Sequence, residues 1–101
     1  MVPRDKLTER WFDLTRREMP DAARARRWPV RLDHCFQRIL LDNAVSGRWR
    51  EHIAAPAWRH ARGDQLADAI ALGEAALAGE ADLALLNARS LRWRRKLPPA
   101  D

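Results

Sequence analysis

One cysteine, no tyrosine, two lysines and four glycines are found in 101 residues. A lone Cys35 leaves no internal disulfide and no multi-cysteine zinc site, and it fits a reducing compartment. The glycines stand alone at Gly47, Gly63, Gly73 and Gly79, so neither G-x-G-x-x-G nor G-x-x-x-x-G-K-[ST] is present to cradle a phosphate. His34, His52 and His60 show no H-x-x-x-H or H-E-x-x-H spacing; no metal ligand set is expected and no cofactor is implied. β-Branched residues are scarce, with two Thr, three Val and three Ile. No stretch alternates apolar and polar residues between hairpin turns, which argues against a sheet. Apolar runs stop at about four residues, whereas a membrane span needs roughly 20. The opening MVPRDKLTERW also has no apolar core of the secretory kind, so a cytoplasmic protein without a membrane partner is expected.

Alanine, arginine and tryptophan fill the space. With 47% hydrophobic and 33% charged residues, the chain has the apolar mass for one core and one domain over residues 1–101. Asp5 caps a first helix to about Glu18, with Leu7, Trp11 and Leu14 on one stripe and Phe12 beside it. Met19-Pro20 ends it. Asp21 opens a short basic helix, and Trp28-Pro29 sends the chain into an extended link through Arg31. A central helix from Asp33 to about Ala44 places Phe36, Ile39, Leu40 and Asn43 on one face and stops at Ser46-Gly47. A shorter helix runs from Arg48 to about Ile53, and residues 57–63 read as an irregular connection. The clearest helix, Gly63 to Ala78, keeps Leu66, Ile70, Gly73 and Leu77 together, with Gly79 as its terminator. The last, Asp82 to about Lys96, aligns Leu83, Leu86, Ser90 and Trp93. The pattern predicts an all-α fold, a compact irregular bundle of five or six short helices. The five tryptophans are read chiefly as bulk for a small core, with Trp28 and Trp93 the candidates for surface stacking because arginines flank them.

Charge is sorted along the chain. Seventeen arginines accompany eighteen alanines, a pairing that GC-rich coding explains in part. Coding bias does not explain the order: residues 1–62 sum to +6, residues 63–88 to −5 and residues 89–101 to +4. An acidic helix thus sits between basic segments. Arg24, Arg26 and Arg27 beside Trp28 form one basic cluster. Arg89, Arg92, Arg94, Arg95 and Lys96 around Trp93 form another. Guanidinium forks suit phosphate oxygens and an interleaved indole suits an unpaired base, so the favoured function is contact with a nucleic-acid backbone. Sequence-specific readout is not expected, because the helix after Ser46-Gly47 is too short for a recognition helix. The alternative is a protein-interaction adaptor or subunit, with an acidic protein partner or a second copy of the chain in a homo-oligomer.

A third class, a small enzyme, rests on Asp33, His34, Cys35, Arg38 and Asp42. Adjacent helical positions point about 100° apart, so His34 and Cys35 do not face one another as a dyad requires. Cys35 falls nearest the apolar face and reads as a packed thiol; His34, Arg38 and Asp42 form an i, i+4, i+8 polar stripe that reads as a solvated face or an ion-pair ladder. The run RWPVRLDHCFQRILLDNAVSGRW, with the later LNARSLRWR, resembles a group of small bacterial proteins labelled GNAT-type acetyltransferase, over about residues 28–94. The resemblance implies acetyl-CoA binding through an R/Q-x-x-G-x-G/A loop between a strand and a helix. The sequence contains no such loop, and no catalytic residue is carried over from the label.

Overall fold

A computed structural model describes residues 2–95. It contains helices α1 (Arg4–Asp13), α2 (Met19–Ala23), α3 (Asp33–Val45), α4 (Ala57–His60), α5 (Gly63–Leu77) and α6 (Leu83–Trp93). No strand occurs among the described residues. The fold is the expected all-α compact bundle.

Met19-Pro20 does not break the first helix. Between α1 and α2 the backbone forms a π-helical turn over Leu14–Glu18, and the three segments run on as one rod from residue 4 to residue 23. Proline lacks the N–H for an α-helical bond, and its ring crowds the carbonyl four residues back. The wider π turn directly before Pro20 opens the ladder where that bond is missing, so the rod continues. The short helix expected from Asp21 is therefore the end of this rod. It closes with Arg27 in the left-handed region at φ 55° and Trp28 N–H donating to the Ala23 carbonyl at 3.0 Å. Trp28 then meets Phe36 edge to face, with centroids 5.7 Å apart, which turns the chain into α3.

α3 is the central helix, packed against α5, α6 and the π turn. Its carbonyl-side start is Leu32, which receives the N–H groups of Cys35 and Phe36; Asp33 lies in the first turn and accepts from His34 N at 2.8 Å. Ser46 ends α3 in the left-handed region. Residues 48–62 hold only a 3-10 turn at Trp49–Glu51 and the single-turn α4. The helix expected over Arg48–Ile53 is thus reduced to that turn, and the stretch expected to be irregular contains α4. α5 starts with Arg62 N–H donating to Gln65 Oε1 at 2.9 Å and ends at Gly79, whose φ of 79° suits glycine. Asp82 caps α6 by accepting from Leu85 N at 3.3 Å.

The core joins Trp11 and Leu14 of the rod, Phe36, Ile39 and Leu40 of α3, Leu66 and Ile70 of α5, and Leu83 and Leu86 of α6. Trp11 is the one tryptophan in it. Trp28 and Trp49 are half-buried and packed against it, Trp93 is half-buried and Trp58 is 39% exposed, so indole bulk fills the core at one position and flanks it at two more. Small residues on α5 let side chains of the rod and α3 approach its backbone closely. The clearest of these is Gly73. A methyl group there would sit 2.6 Å from Leu14 Cδ2 and 3.0 Å from Leu40 Cδ1, and both leucines are fully buried.

Gly73→Ala tests this packing. Alanine gains about 1 kcal/mol over glycine in a helix interior, but overpacking a closed core costs about 1–3 kcal/mol. A net loss of stability on the order of 1 kcal/mol is expected in urea unfolding. Combining it with Leu14→Ala should cost less than the sum of the two single changes, because the truncated leucine vacates the space.

Candidate functional site

Arg38 and Asp42 stand one turn apart on α3 and face Asn87, Ser90 and Arg94, which follow at i, i+3 and i+7 along α6. Asp42 has no exposed surface. Its Oδ2 accepts from Ser90 Oγ at 2.6 Å and Arg94 Nε at 2.6 Å, and its Oδ1 accepts from Arg94 Nη2 at 3.0 Å and the Trp49 backbone N–H at 3.0 Å. Arg38 donates from Nη1 to Ser90 Oγ at 2.7 Å and from Nη2 to Asn87 Oδ1 at 2.8 Å. Ser90 thereby accepts from one charged group and donates to another. Every buried side-chain nitrogen and oxygen among the described residues has a partner, as a buried network requires. The bonds to Asp42 raise the pKa of Arg94 above the ordinary arginine value. Burial lowers that of Arg38, and repulsion from Arg94 adds to the effect against the opposing pull of Cys35 and Asp42.

This cluster lies behind an open groove of about 770 Å³. One wall is the rod, with Phe12 and Arg16; the other is the segment after α3, with Arg48, Trp49, Arg50 and Trp58; Trp11, Arg38, Leu41 and Arg94 lie between them. The arginines differ in depth: Arg16, Arg48 and Arg50 are exposed, while Arg38 and Arg94 are half-buried. No carboxylate lines the groove among the described residues. The aromatic rings are held in place by contacts of their own. Arg16 lies over Phe12 at 3.8 Å, Phe12 meets Trp58 edge to face at 5.8 Å, and Arg50 lies over Trp49 at 5.3 Å. Flat, partly exposed rings beside guanidinium groups can receive an anion that carries a π system.

The residues expected from the sequence are distributed differently. Arg24, Arg26 and Arg27 are exposed at the end of the rod, where Arg26 donates to the Ala76 carbonyl at the end of α5 at 2.9 Å and lies over Trp28 at 5.6 Å. Arg89, Arg92 and Arg95 are exposed along α6, and Trp93 is half-buried. Arg94 turns inward to Asp42, and it is the member of the two clusters that lines the groove. Lys96 lies outside the described residues. No hydrogen bond or ion pair joins the two clusters among the described residues. Arg16, Arg48, Arg50 and Trp58 were not anticipated, although Arg48-Trp49-Arg50 repeats the basic and aromatic alternation of Arg92-Trp93-Arg94.

Two readings of α3 are corrected. The stripe His34, Arg38, Asp42 is neither a solvated face nor an ion-pair ladder along α3. Only His34 is exposed, next to Asp33 at 3.7 Å, and Asp42 pairs across to Arg94 instead of along its own helix, because the polar residues of α6 close over Arg38 and Asp42. Cys35 is a free, half-buried thiol outside the core, since the buried arc centres on Phe36, Ile39 and Leu40 and leaves it at the edge. The described residues hold no group of three or more His, Cys, Asp or Glu that could bind a metal ion. No protein-family model, curated protein or solved structure matches the chain.

Removing one partner of a buried ion pair leaves the other unpaired, at about 3–5 kcal/mol when burial is complete. Arg94 retains 21% exposure. Arg94→Ala is therefore expected to lower the unfolding free energy by roughly 2–3 kcal/mol, and the double change Asp42→Ala with Arg94→Ala to cost clearly less than the two single losses added. Chemical denaturation of the four proteins of the cycle measures it; additive losses would show that the pair is not coupled.

Proposed function

We propose that the chain binds single-stranded nucleic acid in this groove without reading its sequence. The reading is carried by one observation: five arginines and the rings of Trp49, Trp58 and Phe12 line one groove that no carboxylate enters among the described residues. The exposed Arg16, Arg48 and Arg50 are the phosphate contacts, and Trp58 is the stacking platform. A duplex hides the faces of its bases, whereas a single strand offers both phosphates and rings to such walls. Arg24, Arg26, Arg27, Arg89, Arg92 and Arg95 act at longer range, as a positive field that draws a polyanion towards the molecule. Guanidinium forks also fit carboxylates, so an acidic protein segment is the second reading.

Salt separates the two classes of contact. On a single strand, log K against log salt has a slope near −0.7 for each phosphate neutralised. Replacing Arg16, Arg48 and Arg50 together by Ala should flatten that slope by about 2, for DNA and RNA strands of any sequence. Trp58→Ala should weaken binding about tenfold, since stacking contributes roughly 1–3 kcal/mol per base, and leave the slope in place. Failure to bind any oligonucleotide at about 100 mM salt, with an acidic peptide bound instead, would replace this reading by the second.

A further inference from the structure

The deepest cation of the groove has no carboxylate paired directly with it among the described residues. Arg94 is matched by Asp42, which it meets twice, at 2.6 and 3.0 Å. Among the described residues Arg38 is hydrogen-bonded to neutral groups, the Ser90 hydroxyl and the Asn87 side-chain carbonyl, at 2.7 and 2.8 Å, and no carboxylate meets it directly; the Cys35 thiol lies beside it. Among Arg38, Asp42 and Arg94 one positive charge is left over, on a half-buried side chain that lines an open cavity. The bonds to Ser90 and Asn87 use two of the five N–H groups of a guanidinium and fix its plane. Its remaining donors are held ready rather than searching, which lowers the ordering cost of binding an anion.

We propose that this floor is a receptor for a phosphomonoester, the group that ends a nucleic-acid strand. The inference rests on the strand reading of the groove and adds to it a preference for the strand's end. Depth is the first reason. An internal phosphodiester has a sugar on either side and stays level with the exposed Arg16, Arg48 and Arg50, whereas a terminal phosphate has one side free and can descend between the walls to Arg38. Charge is the second. A phosphomonoester carries about −1.5 to −2 at neutral pH, more than one phosphodiester brings, and its three terminal oxygens can meet Arg38 and a neighbouring guanidinium at once. The rings of Trp49 and Trp58 then stand where the terminal nucleoside leaves the floor.

Wild-type protein tests the idea without any substitution. Quenching of tryptophan fluorescence is read for oligothymidylates of about eight nucleotides that carry a 5′-phosphate, a 3′-phosphate or hydroxyls at both ends, and for thymidine monophosphate alone. A phosphate at one of the two ends should tighten binding about tenfold over the hydroxyl-ended strand, and inorganic phosphate should compete with the phosphorylated strand far better than with the other. Arg38→Met should bring that ratio to about one, and Arg38→Lys, which keeps the charge without the fork, should restore part of it; circular dichroism confirms that both variants are folded. Equal affinity for all three strands would overturn the phosphomonoester receptor and leave strand binding standing. Thymidine monophosphate bound as tightly as the phosphorylated strand would keep the receptor and overturn the strand reading. Binding of neither strand nor nucleotide would overturn both.

Discussion

A carboxylate without exposed surface governs this small bundle. Asp42 has lost its water, and an isolated charge in that position would be strongly unfavourable. Four donors replace the solvent, and they come from three residues in two parts of the chain: Ser90 and Arg94 at the end of α6 and the backbone of Trp49 after α3. Satisfying one acid therefore fixes the seam between α3 and α6 and the point at which the next segment leaves α3. A buried ion pair is weak evidence for stability as such, because an apolar replacement of similar shape is often as stable. Its consequence here is geometric. Arg38 shares Ser90 with Asp42, so the acid that neutralises one arginine also aims the other.

Much of this fold was legible along the sequence, and its polar centre was not. α3, α5 and α6 follow from apolar residues at helical spacing and from stops at Ser46 and Gly79, which are local properties. Pro20 misled because a local rule, that proline ends a helix, was answered by another local structure, the π turn before it. Arg38 and Asp42 misled for a different reason. One helix alone presents them as a polar stripe, and only the register of α6, with Asn87, Ser90 and Arg94 on its facing side, turns the stripe into a network. The groove has the same origin. Its alternation of arginine and tryptophan is visible at residues 48–50, but nothing local brings Phe12 and Arg16 to the opposite wall.

Arginine does two kinds of work in this chain. Arg10 reaches Glu18 and Glu74 and ties the rod to α5. Arg4 donates to the carbonyls of Ala61 and Trp58, and Arg26 to that of Ala76. Each of these side chains closes a contact distant in sequence, which a long stem ending in five donors is suited to do. The count of positive charges in a sequence this rich in arginine thus overstates the surface left for a partner. What distinguishes the groove is that, among the described residues, its outer arginines have aromatic neighbours in place of acidic ones.

The two walls of the groove are built to different standards of order. The rod is a continuous helix with Trp11, Leu14, Thr15 and Met19 sealed against the rest of the bundle. The opposite wall runs through a 3-10 turn and a single-turn helix and gives the core Ile53, Ala57 and Ala61. Arg48, Arg50 and Trp58, which face the groove from that side, are themselves exposed. Their chemistry is therefore open to mutation at little cost to the folded state, while the buried acid behind them is not. A lineage carrying this scaffold is free to retune what the groove holds, residue by residue, over a floor that must stay as it is.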